Sequence, residues 1–115
     1  MTDLPLSINE TQEGLIKKKF SAVELVDSYL ERITKDNKDL NIFLTITGEE
    51  AYKKAKEVDK ILRYKDIKIL SDFPLLGVTV AYKDIFLTKG VRTTAGSKVL
   101  ESYIPPYSAT VVDRL

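Results

Sequence analysis

Two rhythms of apolar residues run along this chain. Ala22, Leu25, Val26, Tyr29, Leu30 and Ile33 recur every three or four positions, which gathers them into one stripe of a helix. The same spacing returns at Ala51, Ala55, Val58 and Leu62, with Glu49–Lys53 and Glu50–Lys54 four residues apart on another face as candidate ion pairs. Three helix starts share one chemistry. Ser7-Ile8-Asn9-Glu10, Ser21-Ala22-Val23-Glu24 and Thr47-Gly48-Glu49-Glu50 each offer a hydroxyl to accept from a backbone N–H and a Glu three residues on to reach back. The first helix is predicted to end near Lys19, with Gly14 weakening its middle.

The second rhythm is extended. Leu40-Asn41-Ile42-Phe43-Leu44-Thr45-Ile46 alternates and predicts a strand, and residues 65–74 read as a connecting loop closed by Pro74. Leu75 to Leu87 is the most apolar stretch, interrupted by strongly polar groups only at Thr79, Lys83 and Asp84. It predicts a strand buried on both faces, in the middle of a sheet. Helices alternating with strands indicate an α/β fold. Pro105-Pro106 stops whatever precedes it, and Thr110-Val111-Val112-Asp113 reads as a fresh helix start. Only about one and a half turns of that helix follow, so the chain is expected to be cut in mid-element.

Composition narrows the chemistry. With 115 residues, 43% hydrophobic and 30% charged, the chain suits one small ordered domain. A net charge of +1 offers no electrostatic grip on nucleic acid or anionic lipid. There is no cysteine and no histidine. Disulfides, thiolate or imidazole metal sites, cysteine nucleophiles and a Ser-His-Asp triad are therefore excluded within these residues. Catalysis would have to use Lys, Ser, Thr, Tyr or carboxylates. Met1-Thr2-Asp3-Leu4-Pro5 lacks the basic and apolar regions of a signal peptide, and no apolar run approaches the ~20 residues that span a bilayer. The expected location is cytoplasmic.

Lys83 stands out on physical grounds. On the predicted strand Leu75, Gly77, Thr79, Ala81 and Lys83 share a face, and the small residues among them leave room for close approach where the lysine emerges. The carboxyl end of a strand is where open α/β sheets bind ligands. An ammonium withdrawn from water has its pKa lowered, which suits a base or nucleophile. The structural alternative, among 14 lysines that are mostly solvated helix-surface charges, is one that snorkels out at the strand's end or pairs with a downstream carboxylate. Val80-Ala81-Tyr82-Lys83 also looks like the strand lysine of protein kinases, but no glycine lies between Gly48 and Gly77 to form the glycine-rich loop that this requires.

The longer pattern discriminates further. Pro74-Leu75-Leu76-Gly77-Val78-Thr79-Val80-Ala81-Tyr82-Lys83-Asp84 resembles the amidase-signature block PLxGxPxAxKD. Thr88-Lys89-Gly90-Val91-Arg92-Thr93-Thr94-Ala95-Gly96-Ser97 follows as TKGxxTTxGS. Pro105-Pro106-Tyr107-Ser108-Ala109-Thr110-Val111-Val112 is similar to the PPYDATVV stretch of the A subunits of tRNA-dependent amidotransferases. Ser21-Ala22-Val23-Glu24-Leu25 and Leu40-Asn41-Ile42-Phe43-Leu44 match their SxxEL helix and LNAF strand. Departures fall at Thr79 (usually proline), Tyr82 (usually aliphatic) and Ser108 (usually aspartate).

The resemblance implies an N-terminal part, residues 1–115, of one amidase-signature domain: N-terminal helices plus the first strands of a mixed sheet. It implies a Ser–cis-Ser–Lys triad in which Lys83 is the general base, with both serines beyond Leu115. Glutamine would be hydrolysed through an acyl-enzyme, and the ammonia would amidate glutamate or aspartate mischarged on tRNA. The implied assembly is a heterotrimer, in which partner subunits bind the tRNA and use ATP and Mg²⁺; no membrane contact and no nucleic-acid site is implied for this chain. Ser7, Ser21 and Thr47 are expected as helix caps. Thr93, Thr94 and Ser97 are expected as turn and helix-start hydroxyls at the active-site rim, and Asp84 as an anchor of local backbone. A stand-alone, non-catalytic α/β interaction module of the same descent is the competing expectation.

Overall fold

The computed structural model describes residues 4–64 and 68–115. In chain order the elements are helices α1 (Ile8–Ile16), α2 (Ala22–Leu40), α3 (Gly48–Tyr64) and α4 (Ile69–Asp72), a 3₁₀ turn (Lys98–Leu100) and a last helix α5 (Thr110–Arg114). The chain divides into two compact units. One comprises Met1–Phe43 with Thr47–Thr79, the other Leu44–Ile46 with Val80–Leu115.

The first unit holds the apolar core. α2 and α3 lie against each other, and Leu15, Ala22, Val26 and Ala55 form a buried cluster flanked by Phe20, Val23, Leu30, Ala51, Tyr52, Val58 and Leu62. Leu25 is only 1% exposed. Both helical stripes read from the sequence therefore face this core, where full burial of an aliphatic side chain stabilises by about 1.5–3 kcal/mol. The start of α2 carries a complete capping box. Ser21 Oγ accepts from Glu24 N at 3.1 Å, and Glu24 Oε2 accepts from Ser21 N at 2.8 Å. α3 reinforces the same point, because Asp59 accepts from Ala22 N at 2.7 Å and Val23 N at 3.2 Å. A carboxylate across the helix pair thus satisfies two amides that the first turn of α2 leaves free.

Two glycines are set by packing. The ring of Phe20 occupies the place of a side chain on Gly14, where a Cβ would meet Cζ at 2.2 Å. The residue expected to weaken α1 is therefore the seat of an aromatic ring. Gly77 turns the chain at φ +81°, and a Cβ there would meet Leu15 Cδ1 at 2.5 Å. Gln12 Nε2 donates to Pro74 O at 2.6 Å and ties α1 to that turn.

Several expectations are corrected. α1 ends at Ile16 rather than near Lys19, because Lys18 takes up left-handed backbone (φ 52°) and turns Phe20 back over the helix. Ser7 caps α1, but Glu10 reaches back to Leu6 N instead of Ser7 N. The bond Thr47 contributes to α3 is its carbonyl accepting from Ala51 N. Neither Glu49–Lys53 nor Glu50–Lys54 pairs among the described residues, where Lys54 lies nearest Glu57 at 3.8 Å. Such solvated pairs gain too little Coulomb energy to hold two long side chains in place. Of the loop expected over 65–74, residues 65–67 lie outside the described residues, as do Met1–Asp3 of the N-terminal stretch, while Ile69–Asp72 forms the short α4.

The predicted strands are the main correction. Among the described residues there is no strand, only an isolated antiparallel bridge between Thr88 and Val91. α2 runs through Leu40 and ends on Asn41 in left-handed backbone. Phe43 is then held by a side chain: Asn37 Nδ2 donates to its carbonyl at 3.0 Å, and its N–H donates to Asn37 Oδ1 at 2.7 Å. The amide of Asn37 takes the place of a neighbouring strand. Residues 78–83 carry neither helix nor strand, and Val80, Tyr82, Ile85 and Phe86 are exposed rather than buried on both faces. Alternating or continuous apolar sequence makes a strand only where a second segment supplies the ladder.

Candidate functional site

The second unit is held by hydrogen bonds more than by apolar burial. Its buried residues are Thr93, Thr94 and Pro105. Four backbone bonds frame it: Gly90 N to Pro105 O (3.0 Å), Val91 N to Thr88 O (3.0 Å), Thr93 N to Tyr103 O (3.0 Å) and Ala109 N to Leu87 O (2.8 Å). Arg92 threads the unit, donating through Nε to the carbonyl of Glu101 and through Nη1 to Leu44 O and Thr45 Oγ1 at 3.4 Å. Ser97 caps the 3₁₀ turn, its Oγ accepting from Val99 N.

Lys83 lies in this unit, on exposed backbone, and among the described residues its ammonium has no hydrogen-bond or ion-pair partner. The lysine expected to emerge at the end of a buried strand, partly withdrawn from water, is instead exposed on a segment that is not a strand. What is fixed is the backbone that carries it. Lys83 O accepts from Phe86 N at 2.9 Å, closing a turn directly after the lysine.

The next residue is the hub. The Asp84 carboxylate accepts from Thr94 N at 2.9 Å, from the Thr94 hydroxyl and from Gly96 N at 3.2 Å. Asp84 O accepts from Ala95 N at 2.8 Å. Three consecutive residues thus converge on one aspartate. They can do so because Ala95 (φ 49°) and Gly96 (φ 68°) are both left-handed, which turns successive N–H groups inward. Left-handed backbone costs an alanine about 1–2 kcal/mol, and these bonds offset it. The Thr94 hydroxyl first, then the N–H groups of Thr94 and Gly96, hold the Asp84 carboxyl below its ordinary pKa.

Thr93 and Thr94 take turn roles, with the Thr94 hydroxyl donating to Asp84 and Thr93 Oγ1 to Val91 O. Ser108, which departs from the family pattern, uses Oγ to accept from Lys89 N at 2.9 Å, a role the usual aspartate could fill with a carboxylate oxygen. Arg92 was not legible as a bridge, since its partners are carbonyls whose positions no side-chain pattern reveals. A shallow depression lined by Leu44, Arg92, Thr94, Gly96, Ser97, Lys98 and Glu101 opens on this unit, and Lys83 is not among its walls. The described residues contain no cluster of acidic side chains suited to a metal ion, and no described helix is long and apolar enough to cross a membrane.

Comparison with known proteins bears on this arrangement. The family model described as Amidase matches residues 24–115. The A subunit of the glutamyl-tRNA(Gln) amidotransferase of Acinetobacter baumannii (strain ATCC 17978) is 46% identical over 115 residues, covering 99% of this chain and 22% of that protein. The corresponding A subunits of Geotalea daltonii (47% over 110 residues) and of the Wolbachia of Drosophila simulans (46% over 110 residues) each align with 96% of this chain and 22% of their own length. The chain therefore spans 22% of the length of these relatives.

Proposed function

The chain belongs to the amidase family, and from that premise we propose that it is the N-terminal segment of the glutaminase, or A, component of a tRNA-dependent amidotransferase. The observation that carries the reading is continuous similarity over 99% of the chain to such a component, through the Lys83–Asp84 block and the Pro105-Pro106-Tyr107 stretch alike. Membership of the family is consistent with an α/β fold in which residues 78–83 would enter a sheet once further strands supply the ladder.

In this reading Lys83 is the general base. Its ammonium leaves an anchored backbone and has no competing partner among the described residues, so it is available to a hydroxyl brought to it. Once deprotonated, the amine would take the proton of an intermediate serine, which in turn takes that of the nucleophilic serine. Attack on the side-chain amide of glutamine would form the acyl-enzyme and release ammonia, and water would then free glutamate. In this reading neither serine is among these 115 residues. Partner subunits would carry the ammonia-consuming step on mischarged tRNA, with ATP and Mg²⁺ bound there and not by this chain. The compartment would be the cytoplasm.

The test is made in the full-length protein. Lys83→Ala and Lys83→Met are expected to lower amide hydrolysis by about 10²–10⁴-fold, as loss of a general base does. Either variant retaining more than about a tenth of the wild-type rate would exclude proton transfer by Lys83.

A further inference from the structure

A lysine side chain has four rotatable bonds, so an ammonium that must meet a hydroxyl within hydrogen-bonding distance needs a fixed point of departure. Among the described residues the Lys83 side chain is exposed and makes no hydrogen bond or ion pair that would hold it. The restraint comes from the residue after it. Asp84 makes four bonds to three consecutive residues: its carboxylate accepts from Thr94 N, the Thr94 hydroxyl and Gly96 N, and its carbonyl from Ala95 N. The Lys83 carbonyl, one peptide earlier, is closed into a turn by Phe86 N. Thr94 is itself only 4% exposed, so the partner of Asp84 is seated in the interior of the unit.

We propose that Asp84 is a positioning residue for Lys83, tying the peptide that follows the lysine to the Thr94–Gly96 turn so that the side chain always leaves the backbone from the same place. The inference rests on the reading of Lys83 as general base and extends it to a residue that touches neither substrate nor nucleophile. A carboxylate suits the task because it accepts three donors at once. An amide in its place keeps the shape but offers a single acceptor oxygen and turns an N–H₂ toward donors. A role in stability alone would lower the melting temperature and leave the turnover of folded protein untouched. A positioning role lowers kcat and spares KM, since glutamine binding does not depend on where the base sits.

The experiment measures glutamine hydrolysis and thermal melting of the full-length protein, as wild type and as Asp84→Asn, Thr94→Val, Thr94→Ser and Lys83→Ala. Misplacing a catalytic group by about 1 Å can cost on the order of 10²-fold. Asp84→Asn is accordingly expected to lower kcat roughly 10- to 100-fold, with KM within about twofold of wild type. Thr94→Val, which removes the donating hydroxyl, is expected to lower kcat less, and Thr94→Ser, which keeps it, to restore near-normal kcat. A kcat for Asp84→Asn above about half the wild-type value, or a loss confined to KM or to melting temperature, overturns the proposal. Should Asp84→Asn fail to fold, the Thr94 pair decides, and equal kcat in the Val and Ser variants overturns it. The Lys83→Ala arm separates the two readings. Full activity there removes the assignment of the base itself, whereas activity lost there but intact in Asp84→Asn removes only the positioning role.

Discussion

At the scale of single residues, the behaviour of Asp84 with pH follows from its hydrogen bonds. The Thr94 hydroxyl, then the Thr94 and Gly96 N–H groups, favour the ionised carboxylate and lower its pKa in the folded chain. In the unfolded chain that restraint is gone and the ordinary value returns. A depressed folded pKa means the stabilisation is complete above the unfolded value and is lost as pH falls through the folded one. The Thr94 and Gly96 amides are therefore expected to remain protected from exchange at pH ~4, where free aspartate is half protonated, and to lose protection only below it. Hydrogen exchange followed by NMR across that range checks this. Protection lost already at about pH 5 would mean that the carboxylate does not hold the turn. Ser108 at the same scale accepts from Lys89 N through its hydroxyl, a bond that a carboxylate oxygen could also accept.

At the scale of elements, the start of α2 concentrates the stabilisation of the helical unit. It has a local cap, Ser21 with Glu24, and a distant one, Asp59 of α3. Ser21→Ala is expected to cost about 1 kcal/mol, the usual loss for an N-cap. Asp59→Ala is expected to cost more, about 1–3 kcal/mol, because two α2 amides lose their partner and the helix pair loses a tie. Urea unfolding of the two variants gives the comparison, and equal midpoints for Asp59→Ala and wild type would show that the distant cap contributes nothing. The capping box at Ser21 was legible because both partners lie within one turn. Asp59 was not, since nothing local marks a carboxylate 37 residues away as a cap.

At the scale of the whole molecule, apolar surface decides the expected behaviour of the 115 residues by themselves. In the first unit Leu40 and Ile42 are exposed. In the second, Leu44, Ile46, Val80, Tyr82, Ile85 and Phe86 are exposed, several of them in segments that carry neither helix nor strand. Exposed apolar segments with unpaired N–H and C=O groups template association. The isolated chain is accordingly expected to bind an apolar-surface dye and to show a size that grows with concentration. A sharp cooperative melt from a monomer in dilute solution would contradict this. The same chain is expected to hydrolyse no glutamine above a buffer blank, because it has neither cysteine nor histidine and the proposed reading assigns the nucleophile to none of its residues.

What the sequence determined by itself was local or periodic. The stripes of α2 and α3, the caps at Ser7 and Ser21, the helix start at Thr110 and the family motifs around Lys83 all follow from residues within one or two turns of each other. Tertiary structure decided the rest. Leu40–Ile46 and Leu75–Leu87 carry strand-like sequence, yet among the described residues no ladder forms, and Asn37 holds Phe43 where a neighbouring strand would. It also decided that Lys83 is exposed and that Asp84, ten residues from Thr94 in sequence, gathers the Thr94–Gly96 turn. The physical reason is one of range. Helical bonds close within four residues and are written in local pattern, whereas strand pairing and carboxylate-centred turns need a partner that only the folded chain brings near.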